Sequence, residues 1–74
     1  MSFKEKQTVR IRLDQLQYMA AAMARQLDRR KGIVVDVYVP LGEREQRVKV
    51  RWIARRPTES DVVMEHKAAD LEAI

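Results

Sequence analysis

Three stretches of this 74-residue sequence alternate between apolar and other side chains, and this period of two limits the possible folds more than any other feature. The stretches cover residues 8–13, 33–39 and 47–54. The apolar residues that share a side are Val9, Ile11 and Leu13 in the first stretch, Ile33, Val35, Val37 and Val39 in the second, and Val48, Val50, Trp52 and Ala54 in the third. Alternation of this kind is typical of a strand with one buried face. The sequence therefore predicts three strands that bury their apolar sides in one core.

A helix is predicted between the first two strands, over residues 15–30. This segment is rich in Gln, Leu, Met, Ala and Arg, which all favour helices. Asp14 can cap its start, and Gly32 can adopt the left-handed conformation that ends a helix. The apolar stripe at helical spacing consists of Leu16, Met19, Ala20, Met23 and Leu27. A helix of this length can cross over between two parallel strands.

The last part of the chain fits two descriptions. Residues 58–61 resemble a helix cap, and Met64, Ala68 and Leu71 follow at helical spacing, so we favour a C-terminal helix. Residues 61–64 also fit a short fourth strand that precedes a shorter helix. The predicted fold class is α+β: a two-layer β-α-β-β-α arrangement with a three-stranded mixed sheet, one long helix packed on one face and a C-terminal helix.

Length and composition indicate one small domain over residues 1–74, with residues 1–6 flexible. The chain has no cysteine and one histidine, so a disulfide or a structural metal is not expected to supplement its thin core. Packing alone, or self-association, has to stabilise it. The longest apolar stretch, residues 18–24, is far shorter than the roughly 20 residues that span a bilayer. We expect a cytoplasmic protein without a membrane partner.

Charge is distributed unevenly along the chain. Residues 1–56 contain fourteen Lys or Arg and six Asp or Glu, a net charge of +8. The acidic segment, residues 57–74, contains one lysine and five Asp or Glu, a net charge of −4. A basic body of this kind favours nucleic acid or an acidic protein surface as a partner.

Six of the cations are predicted to share the sheet side that faces away from the core. Together with one tyrosine they form the predicted basic face, which consists of Arg10, Arg12, Tyr38, Arg47, Lys49, Arg51 and Arg55. Guanidinium groups suit phosphate oxygens, and a tyrosine ring can stack on a base. The same cations also fit three structural roles. Long basic side chains cover sheet surface, they protect strand edges from aggregation, and the acidic segment could fold over this face and neutralise it.

Three further features have simpler interpretations. Trp52 is in phase with the core, and His66 lacks a second histidine or a cysteine, so we expect a packed indole and a solvated imidazole. The cluster Arg29–Lys31 suits the negative end of the helix dipole, although it could extend a phosphate-binding surface.

The sequence shows no glycine-rich phosphate loop, zinc-protease motif or nucleophile elbow, and we expect no catalysis, cofactor or metal. The preferred hypothesis is a small non-catalytic nucleic-acid-binding or regulatory protein that contacts phosphates through the predicted basic face. The alternative is a protein-interaction module, an adaptor or an inhibitor of a larger complex, which can act as a homodimer through its strand edges.

Overall fold

A computed structural model describes residues 2–74, which form one five-stranded antiparallel sheet with two short helices. The elements are β1 (Thr8–Ile11), α1 (Leu13–Leu16), α2 (Ala21–Leu27), β2 (Gly32–Tyr38), β3 (Arg47–Trp52), β4 (Val62–Lys67), a 3-10 turn (Ala68–Asp70) and β5 (Leu71–Ala73). The strand order is β4-β3-β2-β1-β5, and every neighbouring pair is antiparallel.

The sheet curls into a partly closed barrel. β4 and β5 are the outermost strands in the order, yet only the 3-10 turn separates them in sequence. In a flat sheet, strands four places apart would lie about 19 Å from each other. The chain from Lys67 to Leu71 spans at most about 14 Å. The turn also joins the two sides directly, because Ala68 N–H donates to Gln46 O at 3.0 Å and Arg12 N–H donates to Asp70 O at 3.0 Å.

The core fills the inside of this barrel. Its buried apolar residues are Phe3, Val9, Ile11, Leu27, Val34, Val48, Val50, Trp52, Ala68 and Leu71. Trp52 is completely buried, which confirms its predicted place in the core. Gly32 lies against its indole: a Cβ atom at Gly32 would lie 2.4 Å from Val50 Cγ1 and 2.8 Å from the Trp52 ring. Only glycine allows so close an approach between β2 and β3.

The predicted fold class is wrong in its sheet. β1 and β2 are antiparallel, with Thr8 opposite Ile33, so the helical segment between them is not a parallel crossover. The sheet has five strands instead of three. The predicted hairpin between the second and third strands is confirmed, and it begins from the pair Tyr38 and Arg47.

The long helix is also wrong. Residues 15–30 contain only the end of the four-residue α1 and the seven-residue α2, with a non-helical break at residues 17–20. Leu27 is the one buried residue of α2, while Leu16 and Met19 pack partly against the core. A continuous apolar stripe needs an open sheet face to cover. The curled sheet encloses its own apolar side and leaves no open face for a long helix. The helix is therefore interrupted, and only single side chains of this segment pack against the core.

The C-terminal helix is replaced by a strand, the 3-10 turn and a second strand. β4 pairs with β3 along its whole length, from Val62 opposite Trp52 to Lys67 opposite Arg47. The alternative to the C-terminal helix, a short fourth strand at residues 61–64, is closer to the structure. Burial alternates along β4 as expected for a strand. The apolar residues between positions 64 and 71 are also spaced as in a helix, so the sequence alone does not distinguish the two.

A β-bulge changes the side-chain phase of β2. The register shifts between Val34 and Asp36, so Val34 is buried and Val35 is exposed, the reverse of the predicted orientation. Beyond the bulge the predicted phase returns, with Val37 against the core.

The N-terminal segment is anchored at Phe3, which is 3% exposed. Its main chain exchanges two hydrogen bonds with the Gln46 side chain, at 2.7 and 3.1 Å. Residues 1–6 were predicted to be flexible, and Met1 lies outside the described residues.

Candidate nucleic-acid interface

The predicted basic face is divided over the outside of the barrel. Tyr38, Arg47, Lys49 and Arg51 point outward on neighbouring strands β2 and β3. Arg10 lies outward on β1, whereas Arg12 follows that strand and Arg55 lies in the β3–β4 loop. Strands β2 and β3 therefore carry four of the seven residues, while β1 and two connections carry the other three.

Acidic side chains accompany these cations. Lys49 lies directly between Asp36 on β2 and Glu65 on β4. All five arginines of the predicted basic face form ion pairs, which are Arg10–Glu72 at 2.7 Å, Arg12–Asp14 at 3.2 Å, Arg47–Glu43 at 3.0 Å, Arg51–Asp61 at 3.0 Å and Arg55–Glu59 at 2.7 Å. Three of these carboxylates belong to the acidic segment. The neutralisation that the sequence left open as an alternative is thus present in the structure.

The strongest of these contacts fix the β3–β4 loop. The guanidinium and main-chain N–H of Arg55 both donate to Glu59 and lower the pKa of that carboxyl to about 2. Arg55 also donates to Asp28 O at 2.6 Å, which joins the loop to the end of α2. The N–H of Ala54 and the guanidinium of Arg51 lower the pKa of Asp61. These arginines already have structural partners.

Tyr38 is occupied in a similar way. Its hydroxyl donates to the carboxylate of Glu65 across the sheet, and this bond raises the pKa of the tyrosine. The ring lies beside Arg47 in the strand register and keeps 43% of its surface exposed.

A basic cleft lies elsewhere, at the end of the barrel where α2 leads into β2. It has a volume of about 540 Å³, and its lining residues are Thr8, Arg10, Arg29, Arg30, Lys31 and Ile74. Within the part of the chain that the structure describes, no acidic side chain lines it. A second cleft, of about 430 Å³, has Arg12, Arg44 and Glu45 in its lining and is therefore of mixed charge.

Arg30 forms the fixed base of the basic cleft. It is 2% exposed, and its guanidinium donates to four carbonyls, those of Gln26 at 3.3 Å, Trp52 at 3.3 Å, Ile53 at 2.9 Å and Ser60 at 2.6 Å. Among residues 2–74 no carboxylate forms an ion pair with it. An arginine stays charged in proteins, and this cation is balanced by the four carbonyl dipoles and, without direct contact, by the carboxylates of Glu59 and Asp61, whose pKa values its charge helps to lower. Its positive charge adds to the potential of the cleft.

The neighbouring residues are held in place by the same anchor. Arg29 adopts a left-handed conformation, with φ of 56°, and Lys31 O accepts the N–H of Ile53 at 2.9 Å. Both side chains are exposed and form no ion pair within the described residues. Two free cations therefore stand on a rigid main chain. The sequence analysis named Arg10 as a phosphate contact. It treated the Arg29–Lys31 cluster as suited to a helix end and, as a second interpretation, as an extension of a phosphate-binding surface. The run of three cations before Gly32 is the feature of the sequence that could have indicated this cleft.

His66 was predicted to be solvated, and this is wrong. It is 8% exposed, and the indole N–H of Trp52 donates to its Nε2 at 3.1 Å, with the two rings edge to face. Burial lowers the pKa of His66, and the charge of Asp70 partly opposes this effect. The imidazole is a core acceptor. Within residues 2–74, no group of three or more His, Cys, Asp or Glu is arranged to hold a metal.

No helix within residues 2–74 has the length and apolar character needed to cross a membrane. Comparisons with protein-family models, with curated proteins and with solved structures find no match to this chain.

Proposed function

We propose that this protein is a small, non-catalytic nucleic-acid-binding protein that holds phosphate groups in the basic cleft. The supporting observation is a cleft with four basic lining residues and no acidic side chain, in a chain whose predicted basic face is largely paired with its own carboxylates. The proposal includes a cytoplasmic location and needs no cofactor.

Five of the six lining residues have a defined role in this proposal. Arg29 and Lys31 contact phosphate oxygens, and Thr8 offers a hydroxyl. Arg10 exchanges Glu72 for a phosphate. This exchange is feasible because the pair is exposed, at 52% and 35% of the two side chains, and an exposed ion pair contributes only about 0–1 kcal/mol. Arg30 makes no contact but keeps the main chain of its neighbours in place.

Binding through three cations should depend strongly on salt. Neutralising three phosphates gives a slope of log affinity against log salt of about −2.7 for duplex DNA and about −2.1 for a single strand. Fluorescence anisotropy with a labelled oligonucleotide, measured from low to moderate salt, gives this slope directly.

A matched pair of double variants tests the position of the site. Arg29→Gln with Lys31→Gln removes two charges from the cleft, and Arg44→Gln with Lys49→Gln removes the same two residue types from exposed positions outside it. We expect the cleft variant to lose roughly tenfold or more in affinity and to reduce the slope by about 1.4–1.8, since two phosphate contacts disappear. The control should change affinity by less than about threefold. Equal losses would show that net charge alone matters, and no binding by the unmodified protein would overturn the proposed function.

The alternative, a protein-interaction module, is supported by a different observation. The connection between β1 and β2 exposes three large apolar side chains, Leu13, Tyr18 and Met23, and Tyr18 is 78% exposed. Aromatic residues and Met are enriched at protein interfaces. If a homodimer forms there, sedimentation should detect it at high concentration and Tyr18→Ser should abolish it; a monomer at every concentration would remove this form of the alternative.

A further inference from the structure

Resting on the proposed function, we infer that the basic cleft binds one single strand of nucleic acid in preference to a duplex. The first reason is the shape of the site. Its cations lie around an open, shallow concavity of about 540 Å³. Proteins that read duplex DNA usually insert a helix or a β-ribbon into a groove. Here Arg29, Arg30 and Lys31 belong to a connection that borders a hollow.

The second reason is the chemistry of the walls. The lining combines Arg29 and Lys31 with the aliphatic side chain of Ile74, which is 68% exposed and whose N–H donates to Thr8 O. A single strand can turn its phosphate to the cations and lay one unstacked base against the aliphatic wall. Paired and stacked bases in a duplex cannot turn outward to contact Ile74 unless they first unpair and unstack, which costs free energy.

The third reason is rigidity. Arg30 is tied to four carbonyls, and Gly32 is packed against the Trp52 ring. The main chain that carries Arg29 and Lys31 is therefore fixed by the core. A flexible single strand can fit its phosphates to fixed cations more freely than a stiff duplex can.

The lining also limits the affinity that we expect. Among the described residues, the cleft has no aromatic side chain. Stacking of bases on aromatic rings is a main source of affinity in many single-strand binders. Binding should therefore be modest, with phosphate contacts as its main source and Ile74 as the source of strand preference.

The test compares a labelled 12-nucleotide strand with the same strand hybridised to its complement, in one buffer, using deoxyribose and ribose versions in separate arms. We expect the single strand to bind roughly tenfold or more tightly than the duplex, at the modest salt slope of about −0.7 for each neutralised phosphate. Ile74→Ser should reduce this preference, because it should lower single-strand affinity more than duplex affinity. Val63→Ser, at another exposed aliphatic position, is the matched control and should change neither.

The outcomes separate the two levels of the proposal. If both forms bind equally and both still depend on Arg29 and Lys31, the single-strand inference is wrong while the proposed function stands. If neither form binds, the proposed function itself fails. If a nucleoside monophosphate competes at the same concentration as the 12-nucleotide strand, the site recognises a small phosphorylated molecule and the single-strand inference is again overturned.

Discussion

Replacing Arg30 by methionine would remove a buried guanidinium that donates to four main-chain carbonyls. These belong to Gln26 at the end of α2, to Trp52 and Ile53 at the end of β3, and to Ser60 in the β3–β4 loop. Methionine keeps an unbranched side chain that can fill much of the same space, but it has no donor. The change therefore isolates the hydrogen bonds that hold three separate parts of the chain together.

The size of the effect follows from the burial of the four carbonyls. The bond to Trp52 O is buried, so leaving that acceptor unpaired costs about 1–3 kcal/mol. The other three bonds are part-buried, and water can replace them at a cost of about 0.5–1 kcal/mol each. Methionine regains some stability because no charge has to be buried. We expect a net loss of about 3 kcal/mol from the roughly 4–11 kcal/mol that is usual for a domain of this size.

Urea unfolding, followed by Trp52 fluorescence and by far-ultraviolet circular dichroism, measures this loss. With a urea dependence of about 1 kcal/mol/M, the midpoint of Arg30→Met should fall by about 3 M. The control is Arg25→Met, at an exposed arginine of α2, which should stay within about 0.5 kcal/mol of the unmodified protein. A loss below about 1 kcal/mol in Arg30→Met, or one equal to that of the control, would refute the role given to the buried guanidinium.

His66 should make stability depend on pH. The pKa of His66 is lowered in the folded state, so the unfolded chain binds the proton first. The free energy of unfolding should therefore be at its full value above a pH of about 6.5 and should fall as the pH decreases toward the folded pKa. Urea midpoints between about pH 7.5 and 5 measure this fall, and an equal pH dependence in His66→Gln would exclude it. Gly32→Ala should destabilise the fold by about 1–3 kcal/mol or more, because the new Cβ would lie 2.4 Å from Val50 Cγ1. Thermal unfolding followed by circular dichroism tests this change, and an unaltered melting temperature would contradict the close packing of β2 on β3.

Sequence analysis identified the strands in which apolar residues alternate and turn residues mark an end. β3 alternates without interruption, and all of its apolar residues face the core. The connection between β2 and β3 contains proline and glycine, so the sequence predicted where this hairpin turns. The side-chain phase of β2 could not be predicted, because Ile33, Val34 and Val35 are three consecutive β-branched residues that fit either face, and only the partner strand determines where the bulge falls.

The helical errors have a different origin. Residues 15–30 have strong helix propensity and no glycine or proline, yet the helix breaks near residues 17–20. Helices in proteins depend chiefly on the tertiary surface that they cover. The curled sheet leaves no such surface for this segment. The curl depends on β4 and β5, and these strands were not predicted because Met64, Ala68 and Leu71 are spaced as in a helix.

The candidate site was predictable only in part. The charge pattern of the sequence predicted Arg10 as a phosphate contact on a sheet face; the residue lines the basic cleft, and its role stays a prediction. The charge pattern did not show that Arg10 pairs with Glu72, because the two residues are 62 positions apart and meet only through the pairing of β1 with β5. The same limit applies to Arg30, whose burial depends on carbonyls 22 to 30 residues away.

The pairing of β1 with β5 also relates the order of folding to the order of synthesis. The first strand is made before the other four, but one of its two neighbours is the last of the five strands to be made, so the barrel cannot close until all five are present. Bringing such distant segments together costs loop entropy before any contact repays it, and domains dominated by such pairings fold over milliseconds to seconds. Until Leu71–Ala73 arrive, the free side of β1 is an unpaired edge open to other chains, and a chaperone or a bound ligand has its greatest opportunity to act in that interval.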